Sequence, residues 1–269
     1  MLAQRLIVVI VLIPIGALVI AAGGWVLATA AAAVLGFAAW EYWRMFKTGG
    51  FQPSAPVLVG SVALLVFARQ AFNFSGSDVL LTAFVLITMT VQIAGFGRGS
   101  TTSANDFNIT LGGILYLGWL GSYLISVRNL PDGMWWLLLV LPATWFGDGA
   151  AYFVGSHFGR HKMFPKISPK KSWEGYLGGV AAAALGCMLL ASLWQLQAPQ
   201  VTPIKGLIVG LVIGVISPLG DFGESMLKRS FGLKDTSQMI PGHGGIMDRI
   251  DSWLWAGAIG YYLILWAWM

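Results

Sequence analysis

The chain alternates long apolar stretches with short polar connections over its 269 residues. A helix needs about 20 apolar residues to cross the hydrocarbon layer of a bilayer, which is roughly 30 Å thick. Nine windows approach this length, and they lie at about 5–22, 25–46, 55–72, 79–94, 107–126, 132–154, 174–195, 204–229 and 249–268. The pattern therefore predicts an all-α polytopic integral membrane protein with about nine transmembrane helices.

The composition supports lipid as the solvent of this chain. Hydrophobic residues make up 57% of the sequence and charged residues only 10%, whereas a soluble domain carries roughly 25% charged residues. The apolar run at 6–20 has features of a signal peptide, but its length also fits an uncleaved first span, which we expect. The net charge of +5 is spread over many connections, so we expect no nucleic-acid partner.

The distribution of lysine and arginine predicts the orientation. If the N-terminus is cytoplasmic, the connections on the cytoplasmic side hold eleven basic residues and those on the opposite side hold three. Membrane proteins retain positive charge on the cytoplasmic side. We therefore expect a cytoplasmic N-terminus. The compact chain, without a recognisable targeting segment, favours a multi-pass protein of a bacterial plasma (inner) membrane.

The acidic residues concentrate in the second half, where seven of eleven lie after residue 140. We expect residues 1–130 to be a scaffold and residues 131–269 to carry the chemistry, within one integral unit. Asp148 lies in the sixth window, and Asp221 and Glu224 lie in the eighth, all toward the predicted cytoplasmic side. A carboxylate at the bilayer centre costs about 2.5–3.5 kcal/mol, so it normally faces a cavity, a partner or an ion. Carboxylates on two separate spans favour function over simple capping.

Helical spacing places further charged groups beside these carboxylates. Asp221, Glu224 and Lys228 are three and seven residues apart on one helix face. Asp248 and Asp251 are three residues apart at the start of the last window. Converging carboxylates need a cation between them, and carboxylate oxygens without His or Cys clusters suit Mg²⁺. The pattern predicts a carboxylate metal site.

Proline and glycine positions predict helix breaks and helix packing. Pro142 and Pro218 precede the acidic positions, and each is expected to open its helix beside a polar cavity. Gly206, Gly210 and Gly214 recur every four residues. Such spacing is typical of close helix packing, within one chain or across a dimer.

Two polar loops carry groups that suit phosphate. The first, residues 158–175, is basic, and its cations are Arg160, Lys162, Lys166, Lys170 and Lys171. Such a loop is often only a topology signal, but beside carboxylates it suits a nucleotide triphosphate or a lipid phosphate. The second, residues 234–251, contains a glycine-rich stretch at 241–245, whose backbone N–H groups can approach an anion. His243 is a candidate for binding phosphate or moving a proton, although a lone histidine is more often structural.

These residues resemble a known family. Residues 225–251, which include the polar positions His243, Asp248 and Asp251, are similar to the signature of phosphatidate cytidylyltransferases, also called CDP-diglyceride synthetases. Residues 168–175 and the segment around Asp148 resemble the same family, whereas the first half matches only in character. The resemblance implies that CTP and phosphatidic acid give CDP-diacylglycerol and diphosphate for phospholipid biosynthesis, with Mg²⁺ as the cofactor.

The resemblance also implies roles for individual residues at an active site that faces the cytoplasm. The implied metal ligands are Asp221 and Asp248, with Asp148 and Glu224 as further candidates for one Mg²⁺ and a second cation, K⁺ or Mg²⁺. The implied catalytic residues are Asp221, Lys228, His243, Asp248, Arg249 and Asp251. The implied substrate-binding residues are Ser168, Lys170, Lys171, Ser172, Lys234, Gly244 and Gly245. Family members form dimers, so the resemblance also implies a homodimer in the lipid bilayer.

Other functions fit parts of the pattern. A CTP-dependent polyprenol or dolichol kinase, or a CDP-archaeol synthase, would act on a different lipid, but the signature ending at His243 to Asp251 favours the phosphatidate enzyme. A cation-coupled transporter also uses intramembrane acids and broken helices. It would place them near the midplane with access from both sides, and no inverted repeat is visible in the sequence.

Overall fold

The computed structural model describes residues 2–237, 239 and 244–269, with side chains from Leu12 onward. The helices are α1 (Leu2–Ala22), α2 (Gly24–Thr48), α3 (Ala55–Phe72), α4 (Ser77–Gly97), α5 (Ser103–Gly113), α6 (Tyr123–Arg128), α7 (Gly133–Phe158), α8 (Trp173–Trp194), α9 (Pro203–Ile216), α10 (Pro218–Ser230) and α11 (Met247–Trp268). A π-helical segment, Ile114–Trp119, follows α5. Strands β1 (Lys162–Phe164) and β2 (Ser168–Ser172) form an antiparallel hairpin. The chain is thus mostly helical, and the hairpin is a departure from the predicted all-α class.

Within the described residues, seven helical segments are long and apolar enough to cross a membrane. They are Gly24–Thr48, Ala55–Phe72, Ser77–Gly97, Ser103–Arg128, Gly133–Phe158, Trp173–Trp194 and Pro203–Ser230. They match the second to eighth windows of the sequence. The first window coincides with α1 and the ninth with the aromatic-rich α11, neither of which belongs to this set. The polytopic helical class is confirmed, and the count of nine stays a prediction.

The chain divides into two compact units. The first comprises Met1–Ser126 and Ser230–Ile250, and the second comprises Val127–Arg229 and Asp251–Met269. The first boundary lies close to residue 130, where the sequence predicts the change from scaffold to chemistry. The segment Ser230–Ile250, however, packs with the helices of the first half.

Aromatic side chains organise the first unit. Arg69 at the end of α3 is buried, and its guanidinium lies 3.5 Å from the ring centre of Phe74 and 4.6 Å from that of Trp119. These cation–π contacts accommodate its charge away from water. At the end of α2, Phe46 packs against Phe231 with ring centres 4.9 Å apart. Through this contact Phe231 packs the segment after α10 against α2.

Small residues let α7, α8 and α9 pack closely in the second unit. A Cβ at Gly214 of α9 would lie 3.0 Å from the Cβ of Ala183 on α8. Added Cβ atoms at Gly206 and Gly210 would overlap the carbonyl groups of Cys187 and Ala183. The predicted glycine stripe therefore serves helix packing within one chain.

The two prolines behave differently. Pro218 begins α10 after a one-residue interruption at Ser217, in agreement with the predicted break, whereas the polar cavity expected beside it stays a prediction. Pro142 lies inside the continuous helix α7, so the predicted opening at this position is wrong. A proline lacks the N–H that would bond the carbonyl four residues earlier, here Leu138. The indole N–H of Trp194 donates to that carbonyl at 3.4 Å, which compensates for the missing bond.

Candidate active site

A lysine–carboxylate pair links the hairpin to α10 in the second unit. The Nζ of Lys171 on β2 lies 2.6 Å from Oδ2 of Asp221, and the two side chains are 28% and 32% exposed. The hydroxyl of Ser225, one helical turn later, donates to Oδ1 of Asp221 at 3.2 Å. Because the pair is open to solvent, a ligand can reach both charges.

A second, buried pair lies on the same helix. The Nζ of Lys228 is 3.2 Å from Oε2 of Glu224, and their side chains are only 9% and 1% exposed. Asp251 on α11 lies close to Glu224 and within electrostatic range of Asp221 and Asp148. Two carboxyl groups in such contact need a proton or a cation between them. Asp221, Glu224 and Lys228 thus lie on one helix, α10, as the spacing predicts, and their shared role in a site stays a prediction.

The close approach of α10 and α11 depends on Gly220. A Cβ at Gly220 would lie 2.5 Å from the carbonyl oxygen of Asp251 and 2.8 Å from Cδ1 of Trp255. Real Cβ atoms essentially never show so short a distance. The missing side chain thus lets Asp251 sit beside the acids of α10.

Local contacts hold the basic hairpin in place. The Glu174 carboxylate at the start of α8 accepts the backbone N–H groups of Arg160 and His161 at 3.1 and 3.2 Å. The Nζ of Lys171 lies 4.3 Å from the ring centre of Phe222. Phe164 of β1 packs on the same ring at 4.9 Å. The hairpin therefore presents Lys171 to α10 in a defined position.

Ser172, Ser168 and Lys170 have different surroundings from Lys171. Ser172 is buried, and its hydroxyl accepts the backbone N–H of Gly175 at 3.2 Å as the N-cap of α8. Ser168 is half-buried and Lys170 is exposed on β2. The capping contact gives Ser172 a structural task in addition to the substrate contact predicted from the resemblance.

In the first unit, the carboxylate of Asp248 accepts several hydrogen bonds from the loop that precedes α11. Its Oδ2 accepts the N–H of Thr236 at 3.0 Å, the hydroxyl of Thr236 at 2.9 Å and the N–H of Gly245 at 2.8 Å. Gly244 has a φ of +80° and its added Cβ would lie 2.9 Å from Oδ2 of Asp248. Glycine is therefore required for this turn around the carboxylate. A metal-binding role for Asp248 would have to use its other oxygen, Oδ1.

Glu41 of α2 is a second carboxylate for the same loop. It is completely buried, and its Oε1 accepts the hydroxyl of Ser237 at 2.5 Å and the N–H of Ile246 at 3.0 Å. Its Oε2 accepts the N–H of Met247 at 2.8 Å and shares the single hydroxyl hydrogen of Thr236, at 3.2 Å, with Asp248. Four donors thus bond one buried carboxylate, and these charge-assisted hydrogen bonds hold the loop before α11 firmly to α2.

Sequence reasoning missed Glu41 because the sequence pattern predicts a scaffold over residues 1–130. A signal was present, since Glu41 is an acid inside the second apolar window. Such a residue is expected to have a partner or a function. Its partners lie about 200 positions away, so no local spacing relates them.

The predicted site residues thus fall into two groups. The second unit brings together Asp148, Lys171, Asp221, Glu224, Lys228 and Asp251. The first unit holds Lys234, Gly244, Gly245, Asp248 and Arg249. His243 lies outside the described residues. Among residues 2–237, 239 and 244–269, no group of three or more His, Cys, Asp or Glu side chains is arranged to hold a metal ion.

Ionisable side chains within membrane spans mark functional sites, and clustered lysines recognise anionic lipid headgroups. The chain belongs to the cytidylyltransferase family, whose model matches residues 3–267. It is therefore a nucleotidyltransferase, and both groups of residues lie within the matched range.

Similar proteins cover most or nearly all of the chain. The phosphatidate cytidylyltransferase of Synechocystis sp. is 33% identical over 290 residues, which cover 97% of this chain and 96% of the relative. That of Pseudomonas aeruginosa is 34% identical over 278 residues, covering 99% and 98%. That of Bacillus subtilis is 35% identical over 221 residues, covering 78% and 79%.

Proposed function

We propose that this enzyme transfers the cytidylyl group of CTP to phosphatidate and so makes CDP-diacylglycerol and diphosphate for phospholipid biosynthesis. The relatives named above carry this activity in their names and align over most of their length. The observation that carries the proposal is the contact between Lys171 and Asp221. Through this contact the basic hairpin, which suits phosphates, lies beside α10, which carries the carboxylates Asp221 and Glu224, within one unit.

The reaction needs positioned charges more than covalent help from the protein. An oxygen of the lipid phosphate attacks the α-phosphorus of CTP, a new P–O bond forms, and the bond to diphosphate breaks. The lipid phosphate is an anion and already a competent nucleophile, so no general base is required. Lys171 and Lys228 are suited to neutralise the transferring and leaving phosphates. His243 and Arg249 stay candidates for the same task.

The carboxylates suit Mg²⁺ that enters with the nucleotide. Mg²⁺ usually keeps several waters and binds one or two carboxylates together with substrate phosphates. Asp221 is the first candidate ligand because its carboxylate is paired with Lys171 and is still about one-third exposed, with Asp148, Glu224 and Asp248 as further ones. When bound, Mg²⁺ would neutralise charge on the triphosphate. A second cation, K⁺ or Mg²⁺, is compatible with the remaining acids, among them Asp251.

We further propose that the enzyme is a homodimer in the plasma (inner) membrane, with nine spans, a cytoplasmic N-terminus and a cytoplasmic active site. The excess of lysine and arginine in alternate connections supports this orientation. CTP is a cytoplasmic nucleotide, so the basic hairpin should face that compartment.

The test uses the full chain purified in detergent with labelled CTP, phosphatidate and Mg²⁺. Formation of labelled CDP-lipid with an equal amount of diphosphate is the expected result. Replacing phosphatidate by a polyprenol should give no product, whereas a phosphorylated polyprenol would indicate the kinase alternative. If folded protein forms neither CDP-lipid nor diphosphate, the proposed function is wrong.

A further inference from the structure

A cavity lies in the first unit beside the loop that Glu41 and Asp248 hold. Its volume is about 740 Å³, within the range of roughly 300–1,000 Å³ that is usual for small-molecule sites. The C-terminal part of α2 forms one wall, with Trp40, Arg44 and Thr48. Residues 233–237 and Met239 form the other, with Lys234, Thr236 and Ser237.

The wall contributed by the loop is fixed. Both hydroxyl groups in it donate to Glu41, that of Ser237 at 2.5 Å and that of Thr236 at 3.2 Å. Thr236 also donates to Asp248 through its N–H at 3.0 Å. Because these contacts join the loop to the helix that forms the opposite wall, the spacing of the two walls is set by buried hydrogen bonds.

The charges of the cavity favour an anion. Arg44 and Lys234 contribute two cations and Asp235 one carboxylate. Within the part of the chain that the structure describes, no ion pair involves Arg44 or Lys234. The guanidinium of Arg44 lies 5.4 Å from the ring centre of Trp40, which holds it along the wall. Arginine in such a stacked position is well suited to bind the oxygens of a phosphate.

We propose that this cavity binds a phosphate ester of a substrate, with Arg44 and Lys234 as its charged contacts. The inference rests on the proposed function and deepens it, because it names a substrate contact on α2. Lys234 is expected from the sequence, but Arg44 and Trp40 belong to the half that the sequence presents as scaffold. Both CTP and phosphatidate carry the required phosphate chemistry, so the test separates them.

The test compares Arg44→Gln with Lys47→Gln in the full chain. Lys47 is a matched control, since it lies one turn further along α2 and stacks on Trp43 at 4.7 Å without lining the cavity. KM is measured for CTP at saturating phosphatidate, and for phosphatidate at saturating CTP. Arg44→Gln should raise one of the two KM values about tenfold with kcat within about twofold, as expected when a binding contact is lost. Lys47→Gln should leave both unchanged.

The KM that rises identifies the source of the phosphate. A rise for CTP assigns the cavity to the nucleotide, and a rise for phosphatidate assigns it to the lipid. Lys234→Gln should raise the same KM, and thermal unfolding in detergent should show that each variant is folded. The proposal is wrong if Arg44→Gln and Lys47→Gln have the same two KM values. Lack of turnover by the unmodified enzyme would instead contradict the proposed function.

Discussion

The Glu41 carboxylate lies 2.8 Å from the main-chain nitrogen of Met247, although 206 positions separate the two residues. A helix of the first half thereby defines where α11 begins and how the loop before it is folded. A buried, charge-assisted contact of this kind is expensive to break, because the groups left behind have no water to replace it.

Glu41→Gln should therefore reduce activity more than stability alone explains. An amide presents an N–H group where two donors now point at a carboxylate oxygen, so the loop must shift. A displacement of about 1 Å in a catalytic element can lower the rate about 100-fold. We expect a loss of about this size in kcat/KM, measured with labelled CTP in mixed micelles.

Asp106→Asn provides the matched control for this prediction. Asp106 is also a completely buried acid of the first unit, and it accepts the N–H of Gln52 and the hydroxyl of Thr102, each at 2.7 Å. Its loss should lower the unfolding temperature without the same loss of kcat/KM in the folded enzyme. Equal effects of the two substitutions on kcat/KM would show that Glu41 is only structural.

Lys171→Gln should abolish most activity while barely changing stability. The pair with Asp221 is about one-third exposed, and such surface pairs contribute roughly 0–1 kcal/mol to folding. Loss of a charge that stabilises a transferring phosphate should lower kcat about 100- to 1,000-fold. Lys162→Gln, on the exposed strand β1 of the same hairpin, should stay within about twofold of the unmodified enzyme. Asp221→Asn should be as inactive as Lys171→Gln. If either variant keeps substantial turnover, the residue replaced in it does not belong to the active site.

Gly220→Ala should destabilise the protein, whereas Gly223→Ala should not. A Cβ at Gly220 meets the carbonyl oxygen of Asp251 at 2.5 Å, whereas one at Gly223 meets nothing within 4 Å. Overpacking costs about 1–3 kcal/mol, and alanine is favoured over glycine in a helix by about 1 kcal/mol. Thermal unfolding in detergent should therefore show a lower midpoint for Gly220→Ala and an unchanged or higher one for Gly223→Ala. A lower midpoint for both would mean that α10 does not approach α11 through Gly220.

Removal of divalent cations should stop turnover without unfolding the enzyme. Since Mg²⁺ is proposed to enter with CTP, EDTA should abolish product formation and leave the unfolding temperature unchanged in the absence of nucleotide. Added Mg²⁺ should restore activity in proportion to the concentration of its complex with CTP. A marked fall in the unfolding temperature on chelation would point to a resident structural ion instead.

The sequence predicted most of the helices and part of the site, for reasons that are local. Hydropathy identified the spans, and helical spacing identified the shared face of Asp221, Glu224 and Lys228. The hairpin was not predicted because its strands are short and are stabilised by contacts with residues that are distant in sequence. One is the Glu174 carboxylate, and another is the side chain of Arg229, which donates to the carbonyl of Ile167 at 3.4 Å.

Two further differences also arise from contacts that no local pattern contains. The segment Ile114–Trp119 is π-helical where the window predicted only a span. Gly118 within it packs against α3, where an added Cβ would lie 2.8 Å from Leu65. Helix α7 continues through Pro142 because Trp194, 52 positions later in the sequence, bonds the carbonyl that the proline leaves.

The contact of Glu41 with the loop also limits how this enzyme can be recombined with its relatives. A Cβ at Gly245 would lie 2.7 Å from both carboxylate oxygens of Glu41, so the acid and the glycine must be inherited together. A chimera joined near residue 130 would exchange one without the other whenever the parents differ at either position. Crossover points for hybrid enzymes should therefore keep α2 and residues 236–247 from the same parent.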